Sequence, residues 1–331
     1  MELLTPHDVL RLLCHPASPV PSRLLELPGL AAASGVARVL IKVEADRPLG
    51  NFKVLGGVFA GLRALSACAP DLPSLICASD GNHGLAVATA ARIAGASARI
   101  FLPRNVSTHR VARIEAAGGT VCMVDGSYDD AVQHASEAAA QGLGLLIPDT
   151  SELTNDLRVR DVLDGYALMS TEILAQLNER KLPHPSHLFI QAGVGGLAAS
   201  LAEGLCAHST TPQLLVVEPE SAACVSRGLT AGRPVQVPGD LHTQAEMLSC
   251  GLASAPALEI LLRHRAQSVL VNDAELQQAV VDLRDAAELH STPSGAAGLA
   301  GFLHVVRNAD LRERHKLSSE SCVLLVMTEG A

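Results

Sequence analysis

Ser74–Pro103, SLICASDGNHGLAVATAARIAGASARIFLP, is the stretch that sets the fold. A short apolar run, Ser74–Ala78, turns through Ser79-Asp80-Gly81-Asn82-His83-Gly84, continues as a small-residue helix over Gly84–Ala94, and returns to an apolar run, Ala98–Leu102, closed by Pro103. Short apolar runs bounded by turns read as strands buried on both faces, the kind found in parallel sheets covered by helices. The rhythm extends outward in both directions. Before it come a strand over Val36–Glu44 and a helix over Val54–Ala67, with Met1–Gly35 reading as an arm or short helices. After it come helix Thr108–Ala117, strand Thr120–Val124, helix Tyr128–Gln141 and strand Gly144–Ile147.

The texture changes after Thr150, where a polar segment leads into a long helix over Asp161–Asn178. A second series follows: strand His187–Gln191, helix Gly196–Ala207, strand Gln213–Val217, a Gly/Pro-rich stretch from Gly228 to Gly239, helix Asp273–Leu289 and strand Cys322–Met327. The alternation predicts an α/β protein of two open, mostly parallel α/β lobes with the active site in the cleft between them. Residues 1–60 with 155–331 are expected to form the larger domain, and residues 61–154 the smaller.

Composition narrows the function. With hydrophobic residues at 48% and charged residues at 18%, the 331-residue chain has much interior to bury. A net charge of -9, two tyrosines and no tryptophan leave phosphate backbones repelled and bases with few stacking platforms, so nucleic acid is not an expected partner. The eight cysteines form no CxxC pair, which speaks against a zinc knuckle and for reduced, buried thiols. The lone histidines, His109, His242 and His290 among them, show no ligand spacing, and no metal site is expected. No apolar run reaches the roughly 18 residues of a membrane span, and no signal segment opens the chain, so a cytoplasmic enzyme without membrane partners is expected.

Three stretches carry candidate chemistry. In Arg47-Pro48-Leu49-Gly50-Asn51-Phe52-Lys53, one lysine stands between a proline/glycine turn and a long apolar run. An amine among apolar neighbours loses hydration, which favours the neutral, nucleophilic form; a surface lysine opening a helix is the plainer alternative. The Ser79–Gly84 loop lies at the carboxyl end of a strand, where α/β sheets place ligand groups. Its glycines let backbone approach closely and Asn82 can donate and accept, although an Asx-type helix cap would look the same. Gly193-Val194-Gly195-Gly196-Leu197 follows a strand and opens a helix, so its amides suit a phosphate. That loop also satisfies G-x-G-x-x-A through Gly193, Gly195 and Ala198, with Glu218 about 20 residues on, the dinucleotide pattern of an NAD(P)-dependent oxidoreductase; a tight turn is the third reading. Asp149, in Pro148-Asp149-Thr150, ends the last strand of the first series, so Asp80 and Asp149 can serve as a pair of acid/base groups if the site raises one of their pKa values. An Asp at a strand end is commonly just a helix cap or turn residue, the favoured reading for Asp149 alone. Thr292-Pro293-Ser294-Gly295-Ala296-Ala297 either lines a pocket or permits close helix packing.

Taken together and in order, PLGNFK with Lys53, SDGNHG, GVGGL, SGAAG and the terminal MTEG resemble the fold-type II pyridoxal-phosphate enzymes, the group of tryptophan synthase β and threonine dehydratase. SDGNHG, Asp149 in PDT and the TEG ending are most similar to the diaminopropionate ammonia-lyases, whereas PLGNFK is nearer the dehydratase type. The resemblance implies the cofactor pyridoxal 5′-phosphate, held covalently by Lys53, with Asn82 at its 3′-oxygen, Gly193, Val194, Gly195, Gly196 and Leu197 around its 5′-phosphate, and Thr328 at its pyridine nitrogen. It also implies Asp80 and Asp149 as proton-abstracting groups for the two enantiomers of a small amino-acid substrate, which Ser79, Asp80, Gly81, His83 and Asp149 would contact. The expected reaction is elimination of ammonia from 2,3-diaminopropionate by a homodimer, with a serine or threonine dehydratase or racemase as the alternative.

Overall fold

The computed structural model describes residues 4–14, 20–79, 81–104, 106–206 and 212–331. In chain order its elements are α1 (Pro6–Cys14), β1 (Leu24–Glu26), α2 (Pro28–Ser34), β2 (Arg38–Val43), α3 (Lys53–Ser66), β3 (Leu75–Ala78), α4 (Asn82–Ala94), β4 (Ala98–Pro103), α5 (Thr108–Ala116), β5 (Gly119–Val124), α6 (Tyr128–Ala140) and β6 (Leu145–Leu146). There follow α7 (Leu157–Glu179), β7 (His187–Gln191), α8 (Gly196–Cys206), β8 (Gln213–Pro219), α9 (Cys224–Ala231), α10 (Ala255–Arg263), β9 (Gln267–Val271), α11 (Asp273–Ala287), α12 (Pro293–Arg307), α13 (Ala309–Arg314) and β10 (Cys322–Met327). The chain divides into two compact units, residues 1–20 with 51–168, and residues 21–50 with 169–331.

The first unit is built on a four-stranded parallel sheet in the order β5-β4-β3-β6. Alanines of α6 (Ala131, Ala135, Ala138) lie against Ile76, Ala78, Phe101 and Val124 of its strands. Helices α3 and α4 approach closely because small residues face each other: a Cβ at Gly57 would come within 2.7 Å of the Ala86 methyl, and one at Gly61 within 2.7 Å of the Ala90 methyl. That contact fixes where α3, and hence Lys53 at its start, stands relative to β3.

The second unit carries a six-stranded sheet in the order β1-β2-β10-β7-β8-β9, parallel except for the β1–β2 pair. Residues Ala296, Leu299, Ala300 and Phe302 of α12 join Phe189, Leu215, Val217, Val323 and Leu325 of the strands in one core. Glycines of α12 allow close packing on the sheet. A Cβ at Gly301 would sit 2.4 Å from Val217 Cγ2, and one at Gly298 2.9 Å from the Phe189 carbonyl oxygen, so α12 lies directly on β7 and β8.

The expected strands and helices form within a few residues of their anticipated ends; Ala207, the expected last residue of one helix, lies outside the described residues. Sequence reading missed β1, a three-residue antiparallel strand, and β9, an edge strand whose residues alternate between buried and partly exposed. It also passed over α10 beyond the Gly/Pro-rich stretch. No disulfide joins the cysteines among the described residues; Cys77, Cys224, Cys250 and Cys322 are buried, while Cys14, Cys68, Cys122 and Cys206 are partly exposed. No described helix is long and apolar enough to cross a membrane, and among the described residues no group of three or more His, Cys, Asp or Glu is disposed to hold a metal ion.

Candidate active site

In the first unit the side chains gather around Asp149. Lys53 opens α3, and its Nζ donates to Asp149 Oδ2 at 2.6 Å. The Tyr128 hydroxyl, at the start of α6, donates to Asp149 Oδ1 at 2.8 Å. Burial alone would raise this carboxyl, but the Lys53 charge, reinforced by His83 and by the hydrogen bonds from Lys53 and Tyr128, holds it well below the usual carboxylate range. The apolar residues after Lys53 were expected to leave its amine neutral. In the structure Val54 and Leu55 are buried in the core of their own unit, and the amine pairs with a carboxylate, with the Phe52 ring centroid 5.4 Å away.

The loop after β3 is shaped by Ser79, whose Oγ accepts from the amides of Gly81 and Gly84, each at 2.8 Å. Gly81 adopts φ 143° and ψ -67°, a conformation open to glycine alone, and a Cβ there would strike the Arg110 side chain at 2.9 Å. Asn82 is the first residue of α4. His83 is buried; its Nε2 shares a 2.8 Å hydrogen bond with the Ile147 carbonyl, and its Nδ1 has no partner. Burial lowers its pKa from the ordinary value, against the pull of the Asp149 charge. Asp80 lies outside the described residues.

In the second unit, Gly193–Leu197 joins β7 to α8. Gly195 sits at φ +95°, where a Cβ would also press on Val225 Cγ2 at 3.2 Å; at Gly193 it would meet Cys250 Sγ at 3.0 Å. The Val194 carbonyl accepts from the Ser254 amide at 3.0 Å, which pins the turn. The first amides of α8 have no acceptor within their own helix, so the turn presents N–H groups and the positive end of a helix dipole to an anion. Thr328, just past β10, is buried, and its Oγ1 accepts from Gln191 Nε2 at 3.1 Å, which leaves the hydroxyl proton to be donated elsewhere.

These features fit pyridoxal phosphate piece by piece: an amine for an aldehyde, an anion cradle too tight for side chains at its glycines, and a neutral hydroxyl donor for a pyridine nitrogen. They do not fit a dinucleotide. Glu218, the acid that reading needs for a ribose, is fully buried, and its carboxylate accepts from the amides of Val225 at 2.7 Å and Ser226 at 2.8 Å at the start of α9. Comparison with known proteins gives the same answer, because residues 18–329 match the family described as pyridoxal-phosphate dependent enzyme. The chain belongs to that family. Diaminopropionate ammonia-lyase of Escherichia coli strain K12 is 30% identical over 94% of this chain and 84% of its own. A human serine dehydratase-like protein is 31% identical over 84% of this chain and 80% of its own. A solved structure of the Escherichia coli ammonia-lyase in complex with D-serine superposes with a TM-score of 0.86 at 27% identity, covering 100% of this chain and 90% of that one. The enzyme is thus a fold-type II pyridoxal-phosphate lyase.

Sequence reasoning missed Tyr128, Tyr166 and Gln191. A signal for the first two was present: the chain holds two tyrosines, and both stand in the electrostatic neighbourhood of Asp149. Gln191 closes a strand as an apolar run ends, and only the packing of α12 and β10 reveals that its amide nitrogen lies within reach of the Ser294, Gly295 and Val326 carbonyls as well as Thr328.

Proposed function

We propose that the enzyme eliminates the β-amine of 2,3-diaminopropionate as ammonia, leaving aminoacrylate that water hydrolyses to pyruvate and a second ammonia. The observation that carries this reading is the carboxylate of Asp149, kept ionised beside the amine of Lys53. By the resemblance, Lys53 would hold the cofactor covalently, the amides of Gly193–Leu197 its 5′-phosphate, Thr328 its pyridine nitrogen and Asn82 its 3′-oxygen. Bound there, pyridoxal phosphate supplies the electron sink that makes the substrate α-proton acidic. Asp149 accepts that proton from one enantiomer, and Tyr128 steadies the carboxylate oxygen opposite the lysine. Asp80 is assigned the other enantiomer from its place in SDGNHG. An acid at position 80 also suits a cationic β-amine, which leaves once protonated, better than it suits the β-hydroxyl of serine or threonine; this is why a dehydratase stands second. The active form is proposed to be a cytoplasmic homodimer.

The test is a side-by-side assay of pyruvate (or 2-oxobutyrate) and ammonia from D- and L-diaminopropionate, serine and threonine, with borohydride reduction followed by peptide mass analysis. Diaminopropionate should exceed serine by about tenfold or more in kcat/KM, the worth of one well-placed charged contact, and the reduced cofactor should be found on Lys53. Faster turnover of threonine or serine would make the enzyme a dehydratase, and a reduced adduct elsewhere would remove Lys53 from its role.

A further inference from the structure

Asp149 is an acceptor, suited to the ammonium form of Lys53 but with no proton to offer the free base. Tyr166, on α7, has that proton. Its ring is 1% exposed and packs on Phe52 with centroids 5.1 Å apart. The approach is built into two glycines: a Cβ at Gly56 would fall 2.5 Å from Tyr166 Cε1, and one at Gly165 would fall 2.4 Å from the Leu55 carbonyl oxygen. These let α7 lie against the first turn of α3, with the phenol in the field of Lys53 and Asp149. The buried hydroxyl makes no hydrogen bond of ordinary geometry, and Lys53 is the side chain whose hydrogen bonding bears on it. Phenylalanine would fill the same space without burying an unsatisfied oxygen, so packing does not explain the tyrosine. Burial pushes the phenol up to about 12, with the charge and hydrogen bonding of Lys53 opposing and Asp149 reinforcing, so it stays protonated and able to donate.

We infer that Tyr166 is a positioning residue for Lys53, its hydroxyl donating to the amine nitrogen when that nitrogen is neutral. Asp149 then stabilises the ammonium and Tyr166 the nucleophilic free base, and the lysine exchanges one partner for the other as it gains or loses a proton. The inference rests on the reading in which Lys53 attacks the cofactor aldehyde.

The experiment compares wild type with Tyr166→Phe, following the rate at which full-length apo-enzyme takes up pyridoxal phosphate as a function of pH. The substitution leaves in place the other titratable groups around the amine, namely Asp149 with Tyr128 and His83 beside it, and Cys77. Loss of one hydrogen bond to the free base should move the acid limb to higher pH by about 0.7 unit, so uptake near neutrality slows about fivefold while the alkaline plateau is unchanged. The melting temperature should hold or rise, since an unsatisfied hydroxyl has been removed. Superimposable profiles, equal slowing at every pH, or a lowered melting temperature would each overturn the inference. A wild-type enzyme that forms no borohydride-stable bond at Lys53 would instead overturn the reading beneath it.

Discussion

Asp149 holds both oxygens in use, one to an ammonium and one to a phenol, and this makes two measurable demands. Asp149→Asn removes the proposed proton acceptor and should lower kcat for one enantiomer by about 10²–10⁴-fold, the usual span for a general base, while the other is affected less; equal loss for both would refute the assignment of one acid to each. Tyr128→Phe leaves the ion pair intact and should cost about tenfold or less. The second demand concerns pH. Because the folded carboxyl is held below its ordinary value, its stabilising effect is fully present above the unfolded value near 4 and is lost as pH falls through the folded one. The melting-temperature gap between wild type and Asp149→Asn should therefore be widest near neutrality and close on acidification, which calorimetry across that range would read. Both residues could be picked out in the sequence, each at a turn where chemistry collects. Their pairing could not, because residues 53 and 149 meet only through the packing of α3 on α4 and the position of β6 beside β3.

Among the elements, the short strands and their sheet class were legible because strands buried on both faces are uniformly apolar, and the glycine turns because φ > 0 and close approach leave few other choices. Gly195→Ala tests the turn before α8: a left-handed alanine costs about 1–2 kcal/mol, and its methyl would press on Val225 and Leu261. Pyridoxal-phosphate affinity should fall by about tenfold or more, read by fluorescence titration, with the sheet intact by circular dichroism. The role of Glu218 was misleading in the sequence, since its distance from the glycine loop matched a ribose acid. In the fold that distance is the length of one helix and one strand, and the carboxyl caps α9 instead. Burial pushes Glu218 up to about 8 against the pull of the two amides. A raised folded pKa means that stability is full below the unfolded value near 4.5 and declines as pH climbs toward 8. Glu218→Gln should remove that decline, so the variant gains on wild type in melting temperature between about pH 5 and pH 8; parallel curves would show that the acid ionises freely.

On the scale of the whole molecule, the second unit encloses a charge network that nothing in the sequence announced. Arg47 reaches Glu44 through Nε at 2.9 Å and grips Glu172 through both terminal nitrogens at 2.6–2.8 Å, while Lys42 donates to Glu172 at 2.8 Å and Gln176 at 2.9 Å. The four charged residues are at most 4% exposed and sum to zero. Such a cluster is weak evidence of net stabilisation, because desolvating the ions offsets their attraction, yet removing one member strands the others. Its place in the chain gives it a use: Arg47 also accepts, through its carbonyl, the Gly50 amide at 2.8 Å, closing the turn in which Leu49 is held at φ 70° just before Lys53. Glu172 is the member shared by both cations. Glu172→Gln should cost about 3–5 kcal/mol and lower the melting temperature by roughly 5–10 °C. Replacing Lys42 and Glu172 together with methionine leaves Arg47 paired with Glu44 and no uncompensated charge. If desolvation and attraction nearly cancel here, the double variant recovers more than half of that loss; additive losses would mean that the pair is itself a principal source of stability.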